Sequence, residues 1–288
     1  MKTIPLQQRF GMAVLHVQLA NITDGSGYRE IRDLFDRYSL LLFRGQQLSD
    51  QQHLAFGQLF GPIEDRTRGE NGPAPSVSPV SNADEDGRVV DENSLHVLQL
   101  KANQLWHTDS TFLPAPALAN ILVARKVPSS GGETEFVSTR VAWQDMPTAL
   151  REHARDKVFC HRYAHSRRQI STELAKQPLF TMWGDQRWRA LWPNPVTGEE
   201  ALYIASHVFA VEGMSARGGK DLIDELIEFT TQKQYIYTHT WQVDDVLIWD
   251  ERATMHRGRP WPYGEVRALS SICVTARPVD GLELVRPI

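Results

Sequence analysis

The chain has 288 residues, of which 41% are hydrophobic and 23% charged, with a formal net charge of −4 at pH 7. That length suffices for one sizeable core, and the absence of a basic excess argues against a nucleic-acid partner. With only two cysteines, Cys160 and Cys273, no apolar core in the opening MKTIPLQQRF and no bilayer-length apolar run near it, a reducing cytoplasmic setting away from the membrane is expected.

Alternation in MAVLHVQL (12–19) predicts a first strand. In YREIRDLFDRYS, Ile31, Leu34, Phe35 and Tyr38 share one helical face, and LLLF (40–43) reads as a buried strand. Ser49 has the place of an N-cap for the helix DQQHLAFGQLFG, which Gly61 and Pro62 end. Residues 63–103 are rich in Pro, Gly, Asp, Glu and Asn, and a loop of that length in a compact protein predicts a functional flap, a first lid. LANILVARKV (118–127) and TEFVS (134–138) are predicted strands joined through the turn sequence PSSGGE. A helix over VAWQDMPTALREHARD (141–156) and a strand over KVFCHRYAH (157–165) follow. No clean period runs through 166–200, which is a second candidate lid. ALYIAS is then a strand, GGKDLIDELIEFTTQ a helix, and YIYTHTW, VLIWDE and VRALSSICVTA are strands rich in β-branched and aromatic residues. Many short strands with few helices between them predict a mainly β fold with peripheral helices, a sandwich or jelly roll, in one domain over 1–288.

NQLWHTDSTF (103–112) sets His107 and Asp109 two positions apart, so on a strand both point to the same side. Two histidines and one carboxylate on one face, with open positions left on the metal, mark non-haem Fe(II) oxygenases. Ten histidines and 35 acids make a chance H-x-D triplet easy, and a surface turn is the competing reading. His256, in WDERATMHRGRPW, follows an apolar strand ending at Trp249 and Asp250 and is expected near a strand end. Arg267 shares a face with Leu269, Ser271 and Cys273. A guanidinium on an apolar strand requires a carboxylate, supplied by a small dicarboxylate cosubstrate or by Glu133, Glu135 or Asp250.

NQLWHTDSTF, VPSSGGETEF and WDERATMHRGRPW followed by Arg267, with LLFRGQQLSDQQHLAFGQLFGPIE nearer the N-terminus, resemble the taurine dioxygenase and 2,4-dichlorophenoxyacetate dioxygenase family of Fe(II)- and 2-oxoglutarate-dependent enzymes. The likeness covers nearly the whole chain, and ANQLWH and HRGR bring it closer to the dichlorophenoxyacetate branch. It implies a double-stranded β-helix (jelly roll), with His107, Asp109 and His256 as iron ligands and Thr134 and Arg267 on the distal carboxylate of 2-oxoglutarate. It also implies Asn103, His207 and Ser271 at the substrate. With Fe(II), 2-oxoglutarate and O2, the implied reaction hydroxylates a small aromatic acid, or cleaves its ether, and yields succinate and CO2. A homo-oligomer is expected by analogy alone.

Read without the resemblance, Thr134 is equally a strand residue, Asn103 a turn residue and His207 a hydrogen-bonded core histidine. One departure stands out. The family pattern carries a second arginine four residues beyond the cosubstrate arginine, and this chain has Ser271 there. The substrate's anion clamp is therefore missing or relocated, with Lys101, Arg68, Arg168 and Arg189 as candidates in the lids. The alternative substrates are alkylsulfonates or other non-aromatic molecules. A metal-dependent hydrolase or isomerase on a cupin-like barrel is a further alternative, disfavoured by the lack of an H-E-x-x-H motif.

Overall fold

Apolar side chains along Ala117–Lys126 have two destinations: Leu122 and Ala124 pack with Phe136, Leu247 and Trp249, whereas Ile121 and Val123 pack with Phe35, Phe56 and Phe60. Such a strand is buried on both faces, which is why its sequence reads as one apolar run rather than as apolar and polar alternation. The structure is a computed structural model describing residues 1–65 and 76–288. Among the described residues, Ala117–Lys126 lies inside a seven-stranded sheet. Its spatial order is Lys2–Pro5, Met12–Leu15, Leu40–Phe43, Val246–Asp250, Ala117–Lys126, Ala268–Thr275 and Ser78–Ser81. Every pairing is antiparallel except Met12–Leu15 with Leu40–Phe43.

The helices Ser26–Tyr38 and Asp50–Phe60 cover one face of this sheet. Ser49 caps the second of them in a reciprocal box with Gln52, as the sequence predicts. Against the other face packs a three-stranded sheet of Ile236–His239, Thr134–Ser138 and Thr254–Gly258. The result is a sheet-rich core with helices outside. No helix among the described residues is long and apolar enough to cross a membrane.

Several elements depart from expectation. The first strand stops at Leu15 because His16 takes a φ of 61°. The predicted helix over 141–156 is two helices, Thr139–Asp145 and Thr148–Arg155, since Met146 precedes Pro147 and is held extended. The strand expected over 157–165 ends at His161, and Tyr163–Arg168 is helical. Residues 63–103 contain the strand Ser78–Ser81 and the helix Leu95–Ala102, and 166–200 contain several elements of three to six residues. Elements that short give no readable period. His256 lies in the middle of Thr254–Gly258 rather than near a strand end.

The turn leading into that strand is fixed by buried charge. Arg252, 1% exposed, donates to Asp250, to Asp36 on the first helix and to the Asp280 carbonyl. Arg252→Met leaves Asp36 to Arg32 and Asp250 to the more distant Arg140 at 3.8 Å, and is expected to lower the unfolding free energy by about 3–5 kcal/mol. Urea titration measures this; a loss under about 1 kcal/mol would show that the carboxylates find other partners.

Candidate metal centre

His107 and His256 face each other as a reciprocal antiparallel pair, His107 N–H donating to His256 C=O at 3.0 Å and His256 N–H to His107 C=O at 2.8 Å. Directly opposed residues carry their side chains to the same side, and the two imidazole centroids are 4.1 Å apart. Thr108 points the opposite way, its hydroxyl bonded to the carbonyls of Ile204 and Thr254, so Asp109 returns to the imidazole side. A turn with Ser110 at φ 59° follows at once. NQLWHTDSTF thus holds both a turn and two candidate ligands that converge with His256.

One donor atom each from His107, Asp109 and His256 lies within 4.8 Å of the others. The Nδ1 of His107 is 2.7 Å from the Leu105 carbonyl, which can only accept, so Nδ1 carries the proton and Nε2 a lone pair. That Nε2 faces Asp109 Oδ1 at 3.8 Å, and His256 Nε2 faces Asp109 Oδ2 at 3.9 Å. These separations are too long for hydrogen bonds. Burial holds the His107 imidazole below its ordinary pKa and brings His256 down to about 3, with the neighbouring His107 adding to the fall. The His107 Nε2 lone pair and the Asp109 carboxylate thus face one point beside the neutral His256 imidazole, a donor set that fits a divalent metal.

The triad is braced from behind. Asn120 donates to Asp109 Oδ2 at 2.6 Å and accepts from the Ser271 hydroxyl at 2.9 Å, a relay fixing the carboxylate. Glu251, fully buried, accepts from the Asp109 N–H at 2.9 Å; burial and then the Asp109 charge push its carboxyl well above the usual range. Trp249 packs on the His256 ring at 4.7 Å.

The triad opens into a cavity of about 390 Å³ lying between the two sheets. Asn103, Thr134, His207, Arg267 and Ser271 all line it, so the residues that the resemblance implies for cosubstrate and substrate share one cavity with the triad. Thr134 accepts from Trp241 Nε1 at 2.9 Å, which leaves its hydroxyl proton free to donate. Arg267 is 6% exposed and donates Nε–H to the Gly132 carbonyl at 2.9 Å. Gly131 and Gly132 have φ of +71° and +70°, and a Cβ on Gly131 would come within 2.5 Å of the Pro260 carbonyl. Only glycine allows that turn to reach the arginine. None of Glu133, Glu135 and Asp250 pairs with Arg267 among the described residues; Glu135 is taken by Arg257 and Asp250 by Arg252. Burial lowers the guanidinium to about 10, still cationic at neutral pH.

On the opposite wall, Phe112 and Tyr163 stack with centroids 3.5 Å apart and His207 meets both edge-on. Thr111 Oγ1 lies 2.9 Å from His161 Nδ1 and 3.3 Å from His207 Nδ1, and burial, with Arg167 next, holds His207 well below its ordinary pKa. Of the basic residues named for the lids, Lys101 rests on the Tyr263 ring, Arg189 donates to the Arg286 carbonyl, and Arg168 does not line the cavity. Arg68 lies outside the described residues. Arg167, next to Arg168, lines it instead. Its i, i+4 relation to Tyr163 was the signal available in the sequence. Asn120, Trp241 and Glu251 gave none, since each reads as an ordinary strand or strand-end residue.

A family model described as "Taurine catabolism dioxygenase TauD, TfdA family" matches residues 2–273. The chain belongs to this family. One relative, the alpha-ketoglutarate-dependent 2,4-dichlorophenoxyacetate dioxygenase of Cupriavidus pinatubonensis, is 33% identical over 92% of this chain and 94% of its own length. The (S)-phenoxypropionate/alpha-ketoglutarate-dioxygenase of Sphingobium herbicidovorans is 31% identical, over 92% of this chain and 91% of its own. The crystal structure of AAD-2 in complex with Mn(II) and N-oxalylglycine is similar with a TM-score of 0.89 and 30% identity, covering 96% of this chain and 98% of that one.

For this member of the family the brace behind Asp109 is directly testable. Asn120→Ala removes a hydrogen bond to a would-be ligand and is expected to weaken Mn(II) binding by about 10- to 100-fold, followed by titration of the ion's magnetic resonance signal. Unchanged affinity would show that Asp109 does not depend on the amide to hold a metal.

Proposed function

We propose that the chain is an Fe(II)- and 2-oxoglutarate-dependent dioxygenase that hydroxylates an aryloxyalkanoate, built on a double-stranded β-helix as one catalytic domain over 1–288. The observation carrying this reading is the His107, Asp109 and His256 convergence inside the same cavity as a buried arginine that has no carboxylate of its own. The first feature fits a ferrous ion with vacant positions, the second a small dicarboxylate. The named relatives support both the cosubstrate and an aryloxy acid as substrate.

His107, Asp109 and His256 would hold the iron, which with 2-oxoglutarate and dioxygen supplies oxidation of a C–H bond to C–OH, releasing succinate and CO2. Arg267, aimed by the Gly132 carbonyl, takes the far carboxylate of 2-oxoglutarate, and the Thr134 hydroxyl donates to it while Trp241 holds its oxygen. A hydrolase has no use for this second, anion-binding half of the cavity. Asn103, whose side chain has no hydrogen bond among the described residues, and His207 face the substrate. Ser271 gives its proton to Asn120 and offers substrate only lone pairs. Hydroxylation of a carbon that bears the ether oxygen gives a hemiacetal, which collapses to a phenol and a 2-oxo acid. The segments 63–103 and 166–200 are read as lids that exclude water, with 66–75 outside the described residues. A cytoplasmic setting is read from the two cysteines and the opening residues, and a homo-oligomer from the resemblance alone.

Anaerobic addition of Fe(II) and 2-oxoglutarate is expected to give a weak visible charge-transfer band, and aryloxyalkanoates should stimulate succinate formation in air. A protein showing neither response is not this enzyme. Arg267→Leu should raise the 2-oxoglutarate concentration needed for half the band by roughly 10- to 100-fold, with little change in metal affinity; an unaltered titration would place the cosubstrate elsewhere.

A further inference from the structure

Arg167 is 5% exposed and sits in a mostly apolar cluster with Phe112, Tyr163 and Phe180, its guanidinium carbon 4.6 Å from the Tyr163 ring and 5.3 Å from the Phe180 ring. It makes no ion pair among the described residues. One terminal nitrogen donates to Ser166 Oγ at 3.1 Å and the other to the Tyr163 hydroxyl at 3.3 Å, while Nε is buried without a partner. Each terminal nitrogen therefore retains one N–H, and the pair forms a fork of the width a carboxylate accepts. A cation desolvated this far, with two neutral oxygens as its partners, is costly unless an anion arrives. Arg167 and Arg267 are the two basic side chains lining the cavity among the described residues. The acids on its wall are Glu64, whose N–H donates to the Cys273 carbonyl, Asp65 and Asp109, and none forms an ion pair with Arg167 among the described residues.

We propose that Arg167 is the relocated substrate clamp: it binds the carboxylate of the aryloxyalkanoate, taking over the charge absent at Ser271. The inference rests on the proposed dioxygenase reading, in which Arg267 is matched by 2-oxoglutarate, so that a second anion is required to match Arg167. Position supports it as well as charge. Arg167 shares its cavity wall with the stacked Phe112 and Tyr163 rings and with His207, so one wall offers both a cation for the acid group and aromatic surface for the ring. Moving the clamp from the central sheet to the short helix Tyr163–Arg168 also frees Ser271 to brace Asn120 and, through it, Asp109.

The test compares phenoxyacetate with 2-phenoxyethanol, which keeps the ring and ether and replaces the carboxylate by a neutral alcohol. Calorimetry on the metal-free protein measures binding of each, and succinate formation by the iron-loaded protein measures use of each. Wild-type protein is expected to favour the acid by roughly 10- to 100-fold, and Arg167→Met to bring the two within about threefold by lowering affinity for the acid alone. A folded Arg167→Met protein, judged by circular dichroism, that keeps the wild-type preference overturns the assignment. Should the methionine variant not fold, Arg167→Lys decides: it keeps a charge but loses the fork, so a partial loss of preference is expected and an unchanged preference overturns the clamp. Absence of the Fe(II)–2-oxoglutarate band in wild-type protein sinks the dioxygenase reading instead, while the calorimetric preference still reports on Arg167.

Discussion

Two backbone hydrogen bonds between residues 107 and 256 set the geometry on which the rest of the site depends. Because the bonds are reciprocal, neither imidazole can slide along its strand without breaking both. A slip by one residue would send one ring to the opposite side. Register is held further out by the pairing of Thr254–Gly258 with Thr134–Ser138, which also delivers Thr134 to the cavity opposite Gly258. A single antiparallel register thus positions two candidate metal ligands and one candidate cosubstrate contact. Trp249 and Phe136, packed on the His256 ring, make the imidazole part of the core rather than a side chain at its edge.

Electrostatics divides the cavity. At the sheet end, neutral imidazoles and Asp109 leave electron pairs without protons between them. At either side stands a buried arginine that forms no ion pair among the described residues, Arg267 beneath the double-glycine turn and Arg167 among aromatic rings. Buried charges of this kind are rarely kept for stability, because an apolar residue of similar size packs at lower cost. Arg252 shows the contrast. It is equally buried, yet its hydrogen bonds reach Asp36, Asp250 and the Asp280 carbonyl, and its task is to tie the first helix to the turn before His256. The four buried arginines among the described residues thus separate by their partners: Arg140 and Arg252 tie the first helix to its surroundings, whereas Arg167 and Arg267 bond only to neutral oxygens.

Much of this was legible in the residues. The apolar runs 40–43, 118–127 and 246–251 fell where the central sheet lies, and Ser49 capped its helix, because long buried strands and capping boxes leave strong local signals. His107, Asp109, Thr134, His256 and Arg267 were singled out because three motifs occur together, and no single triplet would have sufficed. Less visible were the elements of three to six residues between 163 and 193, whose form is set by packing on the cavity rather than by period. That blind spot covered Arg167. Asn120 and Trp241 were hidden for another reason: a polar or aromatic residue on a buried strand declares its role only when its partner across the sheet is known.

The reciprocal pair also links positions 149 residues apart along the chain (107 to 256). Contacts so distant in sequence form late, because the closure entropy of a long loop must be met before the contact offsets it. During synthesis the first imidazole and the carboxylate emerge long before their third partner, and two donors alone make a weak chelate. An ion that needs all three donors would therefore be held firmly only once the pair at 107 and 256 has closed, which would tie its uptake to completion of the fold.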